Sequence, residues 1–287
     1  TLDDFSYGIQ RFIIGLAKKA ILANTLGISV DYCYDLVGTD ALTTGLAWLA
    51  AIGYSLQLYY DFSGYSDMAI GLGRMLGFHF LENFDYPYMA KSVGEFWRRW
   101  HISMGTWFRD YVYIPLGGSR SGKVSRVIFN LFVVWLLTGI WHGANWTFIV
   151  WGLWHFLWIA LERVTDTPKR CGRIGGAVYR VITLLVVVLG WVLFRSDNLG
   201  SAWIMVKAMF GGTTVFSSGT TATIWADISI TMVVAVLCAV PIVTRVFQDK
   251  KTGFIIAARK VSIMVLFAIC LAFVCTAKYD PFIYFNF

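Results

Sequence analysis

Charge is what this chain has least of. Only 14% of its 287 residues are charged, whereas 57% are hydrophobic and 17% aromatic. A soluble domain carries about 25% charged residues, so this composition, with a mean hydropathy of +0.63, places the chain in a membrane. The five cysteines (Cys33, Cys171, Cys238, Cys270, Cys275) form no CxxC pair and are odd in number. Neither a zinc site nor a disulfide framework is indicated, and no metal-ligand set is read. There is no GxSxG elbow and no P-loop, and GLGRMLG (71–77) has the wrong spacing for a dinucleotide loop and no preceding strand. No internal repeat is visible, so the inverted-repeat design of many transporters has no support. An initiator methionine and a signal peptide are also missing. The chain opens at Thr1 in what reads as the middle of a helical protein, so further N-terminal helices are expected before it.

What is present fits a bilayer. Thirteen tryptophans favour the lipid–water interface. The net charge of +7 comes from lysines and arginines clustered between apolar segments, which reads as basic cytoplasmic loops and not as a nucleic-acid surface. Residues 5–26 are amphipathic but hold Arg11, Lys18 and Lys19, which argues for a helix at the interface or packed inside protein. Residues 41–60 have the length of a span; YYDFSGYSD then breaks the apolar run, and a short glycine-rich helix is expected over 66–77. After the polar loop LENFDYPY, residues 92–110 read as one helix with Ser92 as N-cap and Glu95 at the capping-box position. On it Trp97, Trp100, His101, Met104, Trp107 and Phe108 follow helical spacing and share a face, while Glu95 and Arg99 can pair.

A basic cluster (Arg120, Lys123, Arg126) leads into residues 127–161. Split at His142, each half gives about 22–28 Å of helix, somewhat less than a hydrocarbon core of about 30 Å. Both outer ends are basic, so a hairpin or a pair of bent helices with cytoplasmic ends and a deep His142 is expected. Spans follow at 179–195, 225–245 and 261–277. The loops at 163–180 and 246–260 are basic and 196–224 is not, which orients the spans in-to-out, out-to-in and in-to-out and leaves PFIYFNF outside.

His142 lies in WLLTGIWHGANWTFIVW (135–151), with no other ionisable side chain between Arg126 and His155. An intramembrane titratable group tends to mark function; the alternative is a core histidine bonded to a neighbouring helix. Glycines at 139 and 143, and Asn145 beyond, let the backbone bend there. A neutral imidazole in an apolar pocket can take a proton from a hydroxyl, which suits transfer between a thioester and an alcohol for both His142 and His101. His79 and His155 read as structural. Most charges near the membrane plane, Asp61 among them, are explained by pairing; Arg98 has no helical partner and is the better contact for an anionic donor such as a phosphate.

The segments YYDFSGYSDMAIGLGRMLGF (59–78), FDYPYMAKSVGEFWRRWHISMGTWFRDYVYIPLGG (84–118) and LTGIWHGANWTFIVWGLWH (137–155) closely resemble the membrane-bound O-acyltransferase (MBOAT) family. Within it they look most like the bacterial alginate O-acetylation branch, whose ending is also similar to the terminal DPFIYFNF; the D-alanyl transfer proteins of teichoic acid are more distant. The resemblance implies an all-α polytopic membrane domain over 1–287, a ring of transmembrane and re-entrant helices where a cytoplasmic and an extracytoplasmic funnel meet. It places the family's near-invariant histidine on His142 and its second functional histidine on His101. It implies an acyl group, usually acetyl, passed from a cytoplasmic donor such as acetyl-CoA, with no permanently bound cofactor. The acceptor would be an exopolysaccharide such as alginate or a periplasmic acetyltransferase partner, across the bacterial inner membrane.

The expectation is therefore a membrane O-acetyltransferase with His142 as general base or acyl relay and His101 positioning or polarising the reacting group. Arg98, Arg99, Trp100, Asp61, Trp141 and Asn145 are its candidate substrate or donor contacts. The alternatives are D-alanyl or other acyl transfer to an envelope polymer, a transporter whose histidines line a polar path, and a non-catalytic scaffold of polysaccharide export.

Overall fold

A computed structural model describes residues 1–119, 123–211, 219–241 and 253–276. Arg120, the basic stretch 242–252 and the terminal PFIYFNF, all used in the topology reading, lie outside the described residues. Among the described residues the structure is helical; only an isolated antiparallel bridge joins Phe84 and Trp100. Four helical runs among the described residues are long and apolar enough to cross a membrane: Leu2–Asp35, Val124–Trp141, Arg173–Arg195 and Ala257–Thr276. The chain divides into two compact units.

The first unit comprises Thr1–Tyr32, Ile52–Glu82 and Ser217–Phe287. Helix α1 (Leu2–Ala17) starts at Thr1, whose hydroxyl accepts the Asp4 N–H, and passes through a π-helical turn (Lys18–Ala23) into α2 (Asn24–Asp35). Helix α3 is continuous from Thr44 to Met75, and this corrects the reading of a span ending near residue 60 and a separate short helix. The polar residues 61–67 do not break it because their charges are met from α1 and the π-helical turn that follows it. Asp67 pairs with Arg11 and Lys18, both at 2.6 Å, and Asp61 pairs with Lys19. Two glycine pairs let the helices approach this closely: a Cβ on Gly15 would lie 2.6 Å from the Gly64 carbonyl oxygen, and one on Gly8 2.5 Å from that of Gly71. The basic first helix is thus packed inside protein along this face. Helix α3 is not among the four long apolar runs; besides residues 61–67 it carries Tyr54, Ser55, Gln57, Tyr59 and Tyr60. The Tyr60 hydroxyl donates to the Ala235 carbonyl of α11 (Gly219–Cys238), and α12 (Gly253–Thr276) packs on α1.

The second unit comprises Cys33–Ala51 and Asn83–Phe216. It contains the first turns of α3, two short helices α4 (Val93–Arg99) and α5 (Ile102–Phe108), the hairpin α6 (Val124–Trp141) and α7 (Trp146–Thr165), the short α8 (Thr167–Arg170), and α9 (Arg173–Arg195). A further helix, α10 (Leu199–Phe210), begins at its Asn198 cap inside the stretch expected to be a loop. Its last turn is closed by α3, since Thr44 Oγ1 and Trp48 Nε1 donate to the carbonyls of Ala208 and Met209, each at 2.9 Å. Those orphan carbonyls need such partners in a dry setting.

The hairpin follows the expected break at His142. Helices α6 and α7 touch backbone to backbone: a Cβ on Gly139 would lie 2.7 Å from the Phe148 oxygen, and one on Gly152 2.5 Å from the Trp135 oxygen. Gly143, at φ 144°, makes the turn, a conformation that only glycine adopts without strain.

Candidate functional site

The stretch 92–110 is not one helix. Ser92 caps it as expected, its hydroxyl accepting the Glu95 N–H at 3.1 Å, but α4 ends at Arg99 and α5 begins at Ile102. Trp100 between them is extended, and His101 is left-handed at φ 48°, ψ 54°. A non-glycine residue there costs of order 1 kcal/mol or more and persists only where its surroundings hold it. Here the polar loop before α4 folds back alongside. The Asp85 N–H donates to the Arg99 carbonyl and the Ile102 N–H to the Asn83 carbonyl, both at 3.0 Å. Asn83 Oδ1 accepts from the Ser103 N–H (3.1 Å) and hydroxyl (2.9 Å) and lies 3.3 Å from His101 Nδ1.

Helix α4 is anchored at its other end by Glu162 of α7. Its carboxylate accepts the N–H groups of Val93 (2.6 Å) and Gly94 (2.9 Å) and the Tyr179 hydroxyl (3.0 Å). A carboxylate at a helix N-terminus satisfies orphan donors and meets the positive end of the dipole. Farther along α4, Arg99 pairs with Glu95 at 2.9 Å and with Asp85 at 3.0 Å. Burial pushes the Glu95 carboxyl up, but the Lys91 N–H and Arg99 outweigh it and hold it below the usual carboxylate range. Arg98 makes no ion pair or hydrogen bond among the described residues, and it points into a cleft.

Two cavities meet at His101. The first, about 260 Å³, is lined by Arg98, Trp97, Trp100, Arg109 and Tyr113, with Leu131 and Thr138 of α6 and Ile159 of α7. The second, about 350 Å³, is lined by Ser103, Trp107 and Trp141. His101, Met104 and Phe108 stand in the walls of both. On α6 the first cavity runs from Leu131 to Thr138 and the second touches Trp141, about one turn farther on. The cavities therefore follow one another along the hairpin, the first reaching back toward its basic end and the second lying at the bend, with His101 in the wall of both.

His142 ends α6 and lies at that bend, its ring 5.0 Å from those of Trp141 and Trp151 and 5.1 Å from Phe194. It lines neither cavity; its neighbours Trp141 and Thr138 do. The two imidazoles are close enough to interact electrostatically. Asn145 caps α7 through the Thr147 N–H (3.1 Å) and donates to the Asp197 carbonyl (2.7 Å), fastening the bend to the end of α9.

Of the expected residues, the structure brings His101, Arg98, Trp100 and Trp141 to the cavity walls and places His142 and Asn145 at the adjoining bend. Arg99 is taken up by its two carboxylates. Asp61 lies in the other unit, paired with Lys19. His155 is buried among the rings of Trp97, Trp135 and Trp151, and His79 is an exposed neighbour of Asp4. Among the described residues no cluster of histidine, cysteine and carboxylates could hold a metal ion. Sequence reasoning missed Asn83 and Glu162, which act on residues distant in sequence; Arg109, the third arginine of the motif, reads in the sequence only as one of the charges near the membrane plane.

Residues 30–171 match the membrane-bound O-acyltransferase family, MBOAT. The chain is 53% identical over 210 residues to the probable alginate O-acetylase AlgI of Pseudomonas aeruginosa, covering 73% of this chain and 39% of that protein. It is 40% identical over 210 residues to the peptidoglycan O-acetyltransferase of Helicobacter pylori, covering 72% and 39%. To the teichoic acid D-alanyltransferase of Bacillus subtilis it is 32% identical over 154 residues, covering 52% and 38%. The chain spans about two fifths of the length of the first of these relatives.

Proposed function

The chain belongs to the membrane-bound O-acyltransferase family, and from that premise we propose that it carries the reacting centre of an O-acetyltransferase. This centre passes an acetyl group across the bacterial inner membrane to an exopolysaccharide such as alginate, or to a periplasmic acetyltransferase partner. The observation that supports this best is His101 in the walls of two cavities stacked along one hairpin. The first cavity takes the donor, acetyl-CoA or another acyl thioester, with Arg98 as counter-charge for its phosphates; Arg109, in the same wall, is paired with Asp110 at 2.8 Å. The second admits the acceptor hydroxyl. His142 acts as general base or relay, and His101 positions the reacting group. The acceptor oxygen bonds to the acyl carbon, its proton passes to an imidazole, the carbon–sulfur bond breaks, and the departing thiolate receives the proton. Asn145 and Trp141 set the bend, and Trp100 packs the wall of the donor cavity.

Acetyl is favoured over D-alanyl by the higher identity to the two proteins named as O-acetylating enzymes. The test is the acetyl content of secreted polysaccharide in cells carrying the complete protein, wild type against His142→Ala at matched membrane levels. Loss of acetyl supports the proposal. Retention removes His142 from the chemistry, and unchanged acetyl on deletion with loss of polymer export would favour a scaffold.

A further inference from the structure

The oxygen of Asn83 stands at the meeting point of three donors, and their chemistry decides the protonation of His101. The Ser103 backbone N–H, 3.1 Å away, can only donate. The amide atom facing it is therefore the oxygen, since the flipped orientation would set an NH₂ group against an N–H. The same oxygen receives the Ser103 hydroxyl at 2.9 Å and lies 3.3 Å from His101 Nδ1. A carboxamide oxygen cannot donate, so an unprotonated Nδ1 would place lone pair against lone pair. Ser103 Oγ offers no escape: it is 3.4 Å from Nδ1 and 2.9 Å from Asn83, so its single proton belongs to the shorter bond. Its oxygen is then a second acceptor for a proton on Nδ1.

The backbone enforces this arrangement. The Asn83 carbonyl accepts the Ile102 N–H at 3.0 Å, and His101 sits in the left-handed region between two short helices. The residue following the histidine and the one after that are thus both bonded to Asn83. The asparagine cannot shift without releasing the strained turn.

We infer that Asn83 is a positioning residue that holds His101 in the Nδ1–H form, leaving Nε2 as the unprotonated nitrogen with which His101 positions or polarises the reacting group. This rests on the acyltransferase reading for its consequence but not for its geometry. The arrangement is that of a catalytic imidazole whose inner nitrogen is oriented by a carboxyl or carboxamide, where the wrong tautomer is heavily penalised in rate.

Two readouts test it on the complete protein in nanodiscs. In nitrogen-15 NMR of imidazole-labelled protein, with the His101 signals identified by their loss in His101→Gln, Nδ1 is expected in the protonated range and Nε2 in the unprotonated range. In transfer assays Asn83→Leu should lower kcat about 10- to 100-fold with KM for the acyl donor unchanged, and Asn83→Asp, which keeps the acceptor oxygen, should recover most of that loss. The opposite tautomer, an even mixture of both, or wild-type kcat in Asn83→Leu would overturn the inference. Should Asn83→Leu fail to fold, the wild-type spectrum decides. A wild type that shows the expected tautomer but transfers no acyl group refutes the transfer reading and leaves the role of Asn83 standing.

Discussion

His101 and His142 have different surroundings, yet replacement of either should have the same consequence. His101 meets both cavities and holds a strained turn, whereas His142 sits behind Trp141 and Thr138 at the bend. Either histidine changed to alanine should lower acyl transfer at least 100-fold, read as labelled acetyl incorporated per unit of membrane protein. The adjacent arginines should separate in the opposite manner. Arg98→Ala removes a cation that faces the donor cavity, so KM for the donor should rise about tenfold, or about 1.4 kcal/mol, with kcat little changed. Arg99 is partly exposed and engages Glu95 and Asp85; Arg99→Ala should cost about 1 kcal/mol or less of stability and leave KM alone. Steady-state kinetics and thermal unfolding on both variants distinguish these outcomes.

At the scale of helices, the site depends on two contacts that fix α4 and the hairpin. Glu162→Ala leaves the Val93 and Gly94 N–H groups and the Tyr179 hydroxyl without their acceptor. It should destabilise by about 1–3 kcal/mol, measured as a lowered unfolding midpoint in detergent. Gly152→Leu drives a side chain into the Trp135 carbonyl and should cost about as much or more. The hairpin was legible from sequence because its determinants are local: glycines, an asparagine cap, and basic residues at both outer ends. The break at His101 was not, because the spacing of Trp97, Trp100, Met104 and Trp107 suits an unbroken helix. What breaks it are bonds to Asn83 and Asp85, residues of a loop with no pattern of its own. The polar stretch of α3 misled for a related reason. Asp61 and Asp67 read as the end of a span, and their counter-charges, Lys19, Lys18 and Arg11, come from a helix about 50 residues earlier.

For the whole molecule, the distribution of charge and the hydrogen bonds of the second unit agree on direction. Lys123 caps α6 and Arg126 lies in its first turn, while Arg163 lies in the last turn of α7, Arg170 ends α8 and Arg173 opens α9; by the positive-inside rule those ends are expected on the cytoplasmic side. Asn145 at the bend bonds to Asp197 beyond α9, so the bend and that far end share the opposite side. In a cysteine-free background, Asp197→Cys should react with a membrane-impermeant thiol reagent on cells with a permeabilised outer envelope. Lys123→Cys should react only after the inner membrane is opened. The proposal that two stacked cavities form one route for an acyl group is tested most directly in sealed proteoliposomes of the complete protein. Radiolabelled acetyl-CoA is supplied on the side of the basic loops and a polysaccharide or partner acceptor on the other. The account predicts label on the acceptor across the membrane, abolished by His142→Ala and by His101→Ala. Transfer that needs donor and acceptor on the same side, or that persists in both variants, would contradict it.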